Sequence, residues 1–280
     1  MIKKALKITL SLIMSLGLAL SSLHVTYASE NDFAVIKTRL KDYFLTQDTI
    51  DDGAKVETCY VSKAEDYLKL IQEDGSFDDV DYDATTSAAN GVAWSPYLAL
   101  DRLQAIAIAY HQEGNSLYHD EEVIDKLNQA IIYWGQEDPS STNWWENQIG
   151  VQLRFSRIAL FMEDIISDDA FDILLEKLLE KTPEKYGTGQ NNLWFDQNYV
   201  YYAIITENGT KHTDSSGFKK LDLKELVDDY LSYCLVVQRD DNTAEAVQVD
   251  NSFYMHGRQF YSNGYGMSMF RDMSFWIYML

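Results

Sequence analysis

The stretch DNSFYMHGRQFYSNGYG (250–266) sets one His and five Phe or Tyr rings among three Gly, with no aliphatic run. His256 and Tyr265 stand nine positions apart in it. On residue type alone His256 reads as solvent-facing and Tyr265 as a packing residue; brought together, an imidazole and a phenol can pass a proton to or from a bound substrate. Two further polar-aromatic stretches stand out, NWWENQIG (143–150) and TGQNNLWF (188–195). Trp144 and Trp145 are neighbours. On a helix, neighbouring side chains point about 100° apart, so at most one of the two sits squarely in a core. The other lines a surface or cleft, where a flat indole can lie on the apolar face of a sugar ring without a charge. The blander alternative is that both are core or interface residues.

Other chemistries find no support. GTGQNN lacks the Lys-Ser/Thr of a phosphate loop, and no GxSxG nucleophile elbow occurs. There is neither a CxxC nor an HExxH, so no metal site is expected. The acidic loop EDGSFDDVDYDA (73–84) lacks the EF-hand spacing and reads as a solvated loop rather than a calcium site.

Helical periodicity dominates the elements that must position these residues. Apolar stripes run through Phe33, Ile36, Leu40 and Tyr43, and through Leu103, Ile106, Ala107 and Tyr110. A third joins Val123, Leu127, Ala130, Ile131 and Trp134, with Gly135 and Pro139 as its stop signals. Ile149, Leu153, Ser156 and Leu160 make another, followed by Phe171, Leu174 and Leu178 and by a helix around 220–237. The last stripe is Phe270, Met273, Ile277 and Leu280. YVYYAII (199–205) fits either helix or strand. Helices alternating with long polar loops predict an all-α array of helical hairpins, and long loops carry function. The apolar ending, Trp276 to Leu280, leaves a helix face uncovered and reads as a chain that has been cut.

The first 28 residues carry Lys3, Lys4 and Lys7, then an apolar middle, then small residues ending at Ala28. That is the layout of a secretory signal, and it predicts a secreted, bacterial, extracellular protein with no stable membrane insertion after cleavage. The formal charge is −21 over 280 residues, and the signal holds three Lys and no acid, so the rest is more acidic still. Nucleic acid is excluded as a partner, because phosphate binding needs a basic footprint. Cys59 and Cys234 can pair in an oxidising compartment. The alternative is that Cys234 is a buried thiol on the face of Leu223, Leu226 and Tyr230.

NWWENQIG, TGQN, the 250–266 loop, EDGSFDDVDYD and the segment 94–134 together resemble polysaccharide lyase family 8, the family of hyaluronate, chondroitin AC and xanthan lyases. The motifs fall in the family's order from about residue 35 to the end. The resemblance implies an incomplete α/α toroid over residues 29–280, ending before its last helices and the β-sandwich domains that follow in the family. It implies a monomer that cuts an anionic, uronic-acid-containing polysaccharide by β-elimination, without a cofactor or metal. Asn191, His256 and Tyr265 take the catalytic positions. Trp144 and Trp145, with Asn143 and Arg258 beside the motifs, take the substrate-binding ones. The family's catalytic Arg falls beyond Leu280, so reduced or absent activity is expected of this chain. A glycan-binding remnant that does not cut is the alternative. An α/α-toroid hydrolase is a weaker one, which would need a pair of flanking carboxylates.

The implied chemistry suits these residue types. A neutral amide such as Asn191 can hydrogen-bond the uronate carboxylate and stabilise the enolate-like charge that develops. Tyr265 can pass a proton to the leaving oxygen, and His256 is a candidate base or second stabiliser. Arg154, Arg157, Arg258 and Arg271 lie in or beside the motifs and are expected to offset the acidic field locally. Neutralising Arg258 should therefore weaken binding of an acidic polymer more at low salt than at high salt. Affinity electrophoresis across a salt series measures this, and a salt-independent loss would contradict it.

Overall fold

The computed structural model describes residues 30–49, 59–86, 94–183, 189–216, 218–233, 236 and 245–280. The expected signal segment, 1–28, and Cys234 lie outside the described residues. Nine α-helices occur among the described residues: α1 (Glu30–Leu45), α2 (Ala64–Lys69), α3 (Pro96–His111), α4 (Glu121–Glu137), α5 (Val151–Met162), α6 (Asp168–Glu180), α7 (Gln190–Ile205), α8 (Leu223–Ser232) and α9 (Tyr265–Met279). None is long and apolar enough to cross a membrane. The only strands among the described residues are β1 (Tyr254–Met255) and β2 (Gln259–Phe260), an antiparallel pair.

The helices form two layers. α3, α5, α7 and α9 each pack against the next and make an inner row; α4, α6 and α8 lie outside them, and α1 packs on the inner row. This is the hairpin array of an α/α toroid. Sequence explains the layering. The outer helices are amphipathic: α4 buries Val123, Leu127, Ala130, Ile131 and Trp134 and leaves its other side to solvent. The inner helices have apolar residues on every side, and all of α5 from Val151 to Met162 is buried. YVYYAII therefore resolves as the buried end of α7.

Two sequence expectations are corrected. Gly135 does not stop α4, which runs to Glu137 and ends with Asp138 in the left-handed region. A Cβ on Gly135 would lie 2.7 Å from a methyl of Ile173, so the glycine permits close approach of α4 and α6. The stripe expected for α9 faces the wrong way. Phe270 and Ile277 are exposed, whereas Met269, Asp272, Trp276 and Met279 are buried. Apolar residues on both faces, with an acid on the buried one, defeat a pattern count there.

Two of the motif arginines are buried and paired in this core. Arg154 is fully buried; its Nε donates to Asp101 Oδ1 at 2.7 Å, Nη1 donates to Gly150 O at 2.9 Å, and its guanidinium lies 3.9 Å from the Tyr97 ring centre. Arg157 is 9% exposed, and its Nη1 donates to Gln104 Oε1 at 3.2 Å. Neither belongs to an exposed basic patch.

Lys37 of α1 fastens the far ends of the inner helices. Its Nζ meets Glu163 Oε1 at 2.7 Å, Glu207 Oε1 at 3.0 Å and the Ile205 carbonyl at 3.2 Å. Burial pushes the Glu163 carboxyl up, but a hydrogen bond with His212 and the charges of Lys37 and Lys211 outweigh it and hold the group at about 2. Removing one partner of such a buried pair costs about 3–5 kcal/mol, so Lys37→Met should lower stability by that order in denaturant melts. Glu163 contributes stability above the unfolded carboxyl value of about 4.3, and loses it as pH falls toward about 2. Glu163→Gln should flatten stability over that acid window; an unchanged slope would contradict the network.

Candidate active site

The three sequence stretches lie at the N-terminal ends of successive inner helices. Trp144 and Trp145 precede a short π-helical segment, Glu146–Gly150, which runs into α5. Asn143 Oδ1 accepts the Trp145 backbone N–H at 3.1 Å, so this side chain caps the turn that carries the two indoles. Trp144 is 42% exposed. Trp145 is half-buried at the edge of a small cluster of Ile149, Leu153 and Phe195, apart from the main core. The pair divides as adjacent helical positions must.

Asn191 stands in the first turn of α7, entered through Gly189 at φ 54°. A Cβ on Gly189 would lie 2.9 Å from Met255 Sδ and 3.2 Å from the Glu245 carbonyl, so the start of α7 rests directly on the segment that carries His256. Asn191 Oδ1 is buried and has no hydrogen-bond partner among the described residues. A buried amide oxygen without a partner is costly. Rotation of the amide offers either its oxygen or its NH₂ to a ligand.

β1 and β2 pair Tyr254 with Phe260 and Met255 with Gln259, and His256, Gly257 and Arg258 form the tip between them. His256 and Gly257 both take positive φ, 57° and 77°. Glu245 Oε1 accepts the Gly257 N–H at 2.6 Å, which braces this turn. His256 and Arg258 are exposed.

Tyr265 opens α9. Its ring centre lies 5.2 Å from that of His256, edge to face, and 5.2 Å from that of Tyr261. On its other side Trp194 of α7 lies at 5.9 Å, and Trp194 is 5.6 Å from Trp145. One row of rings thus runs from Trp145 through Trp194 and Tyr265 to His256. Burial pushes the Tyr265 phenol above its ordinary value, and the neighbouring Tyr261 and Glu245 push the same way. The group is a protonated donor at neutral pH.

Sequence reasoning did not nominate Trp194, Glu245 or Asp272. Trp194 sits three residues after Asn191 inside a stretch already marked as unusual. Glu245 carries no local signal, because its partner is a backbone amide in a turn. Trp194 and Asp272 also line a cleft of about 600 Å³, shared with Tyr43, Arg157, Arg271 and Phe275.

The fold and site define an all-α hairpin-array domain with an indole row leading to a His–Tyr pair. The chain belongs to polysaccharide lyase family 8: the model of the family's N-terminal alpha-helical domain matches residues 46–274. A chondroitinase-AC of Pedobacter heparinus is 29% identical over 210 residues, which is 72% of this chain and 27% of that protein. A hyaluronate lyase of Enterococcus faecalis is 31% identical over 90 residues, 30% of this chain and 9% of that protein. The chain thus spans about a quarter of the chondroitinase-AC. Among solved structures, a chondroitinase AC lyase studied in oligosaccharide complexes superimposes with a TM-score of 0.69 at 24% identity, over 86% of this chain and 32% of that one. A Paenibacillus xanthan lyase does so at 0.67 and 17% identity, over 90% of this chain and 23% of that one. At these identities the superpositions show the fold.

Glu245→Gln removes one of the charges that push Tyr265 up, so its titration should move to lower pH. NMR of ring-labelled tyrosine reads this directly, and an unmoved Tyr265 would rule out the contact.

Proposed function

We propose that this chain carries the elimination centre of a secreted polysaccharide lyase acting on a uronic-acid-containing polymer. The observation that carries the reading is the ring row from Trp145 through Trp194 to Tyr265 and His256. Asn191 lies one helical turn from Trp194. Sugar rings lie along the indoles. Asn191 donates to the uronate carboxylate, which lowers the cost of removing the proton on the adjacent carbon. His256 is the candidate base for that proton. The carbon–oxygen bond to the next sugar breaks, a double bond forms, and the leaving oxygen takes its proton from the Tyr265 phenol. No water is consumed.

The raised Tyr265 suits the donor half of this scheme. Acting as a base would require a nearby cation to bring it down. The acidic balance of the chain is offset at the site itself. The N-terminal ends of α5, α7 and α9 converge there, and helix N-termini carry partial positive charge. Arg258 is exposed on the hairpin tip. Export rests on the signal-like segment ending at Ala28.

The test is incubation with hyaluronan, chondroitin or xanthan, followed by the ultraviolet absorbance of an unsaturated uronate. The reading expects at least a weak signal with one polymer, reduced about a hundredfold or more in Tyr265→Phe. Binding with no absorbance would leave a glycan-binding domain in place of a lyase. Unchanged turnover in Tyr265→Phe would remove the role given to that residue.

A further inference from the structure

Asp272 occupies a place where the spacing of α9 calls for a core residue. It lies between Met269 and Trp276 on the buried face and is 8% exposed. A buried carboxylate is costly unless paired. Here Oδ2 accepts from Gln190 Nε2 at 2.6 Å and from Trp194 Nε1 at 2.9 Å, while Oδ1 accepts from Arg271 Nε at 2.8 Å. Two of the three donors come from the first turns of α7. One carboxylate therefore ties the helix that bears Asn191 to the helix that opens with Tyr265.

The tie also fixes an indole. With its N–H held, the Trp194 ring cannot turn about its own bond to the backbone without breaking a partly buried hydrogen bond. It is kept 85° to Trp145 and 48° to Tyr265, and it is only half-buried. It belongs to the edge of the small satellite cluster, not to the main core. We propose that Trp194 is a sugar-stacking residue and that Asp272 is the positioning residue that holds it between the tandem indoles and Tyr265. The ligand class is one pyranose unit of an acidic polysaccharide, with its apolar face on the indole. This rests on the lyase reading for the reaction, but not for the stacking.

The experiment compares the wild-type chain with Trp194→Phe, Trp194→Ala, Asp272→Asn and the Trp194→Phe/Asp272→Asn double variant on hyaluronan, chondroitin and xanthan. Folding is checked by Tm and circular dichroism. Trp194→Ala should raise KM about tenfold, the scale of one lost aromatic contact, with a smaller change in kcat. Trp194→Phe and Asp272→Asn should each lower kcat/KM, and the double variant should be no worse than Trp194→Phe, because Asp272 acts through the indole N–H that Phe lacks. A purely structural Asp272 would lower Tm and leave KM and kcat of the folded fraction alone; that result, or losses that multiply in the double variant, overturns the proposal. If Asp272→Asn does not fold, an unchanged KM in Trp194→Ala overturns it. If the wild type turns over none of the polymers, the lyase reading fails separately, and affinity electrophoresis in the same three polymers decides. Retardation lost in Trp194→Ala supports the stacking role; retardation retained in that variant, or absent from the wild type, overturns it.

Discussion

A charged side chain buried among the inner helices is costly unless a partner meets it. That constraint orders the molecule. Arg154 is held by Asp101 and the Gly150 carbonyl, and so fixes the turn that follows the tandem Trp. Asp272 is held by Gln190, Trp194 and Arg271. At the other end Lys37 gathers Glu163, Glu207 and the last carbonyl of α7. These polar fasteners set the position of each helix along its neighbours, which apolar packing alone would leave looser.

The site follows from that order. Outer helices return the chain to the same end after each inner helix, so the N-terminal ends of α5, α7 and α9 come together. Each delivers one part: indoles before α5, an amide in the first turn of α7, a phenol at the start of α9. The hairpin of β1 and β2 adds His256 from the preceding loop, with its turn braced by Glu245. The parts are far apart in sequence: Asn191 and His256 stand 65 positions apart.

Much of this was legible in the residues. Periodicity predicts most of the helices, and the division of Trp144 and Trp145 between an exposed and a half-buried place follows from helical geometry. The stripe of α9 was misread because Asp272 sits in its buried face while Phe270 and Ile277 point outward. Propensity and pattern carry no term for an acid whose partners come from another helix. Arg154 misled for the same reason: a basic residue beside a motif looks like part of a binding patch until its buried partner is seen. Glu245 could not be found at all, since a backbone amide leaves no trace in sequence. Trp194 could have been found, three residues from Asn191 in a helix start already rich in amides and rings.

The central claim is that this arrangement breaks a sugar–oxygen bond by elimination. The most direct measurement is the mass balance of cleavage of a purified uronic-acid oligosaccharide incubated with this chain. The account predicts two products whose masses add up to that of the starting oligosaccharide, one of them carrying a new double bond. Products whose masses add up to the starting mass plus one water would mean hydrolysis and would contradict it.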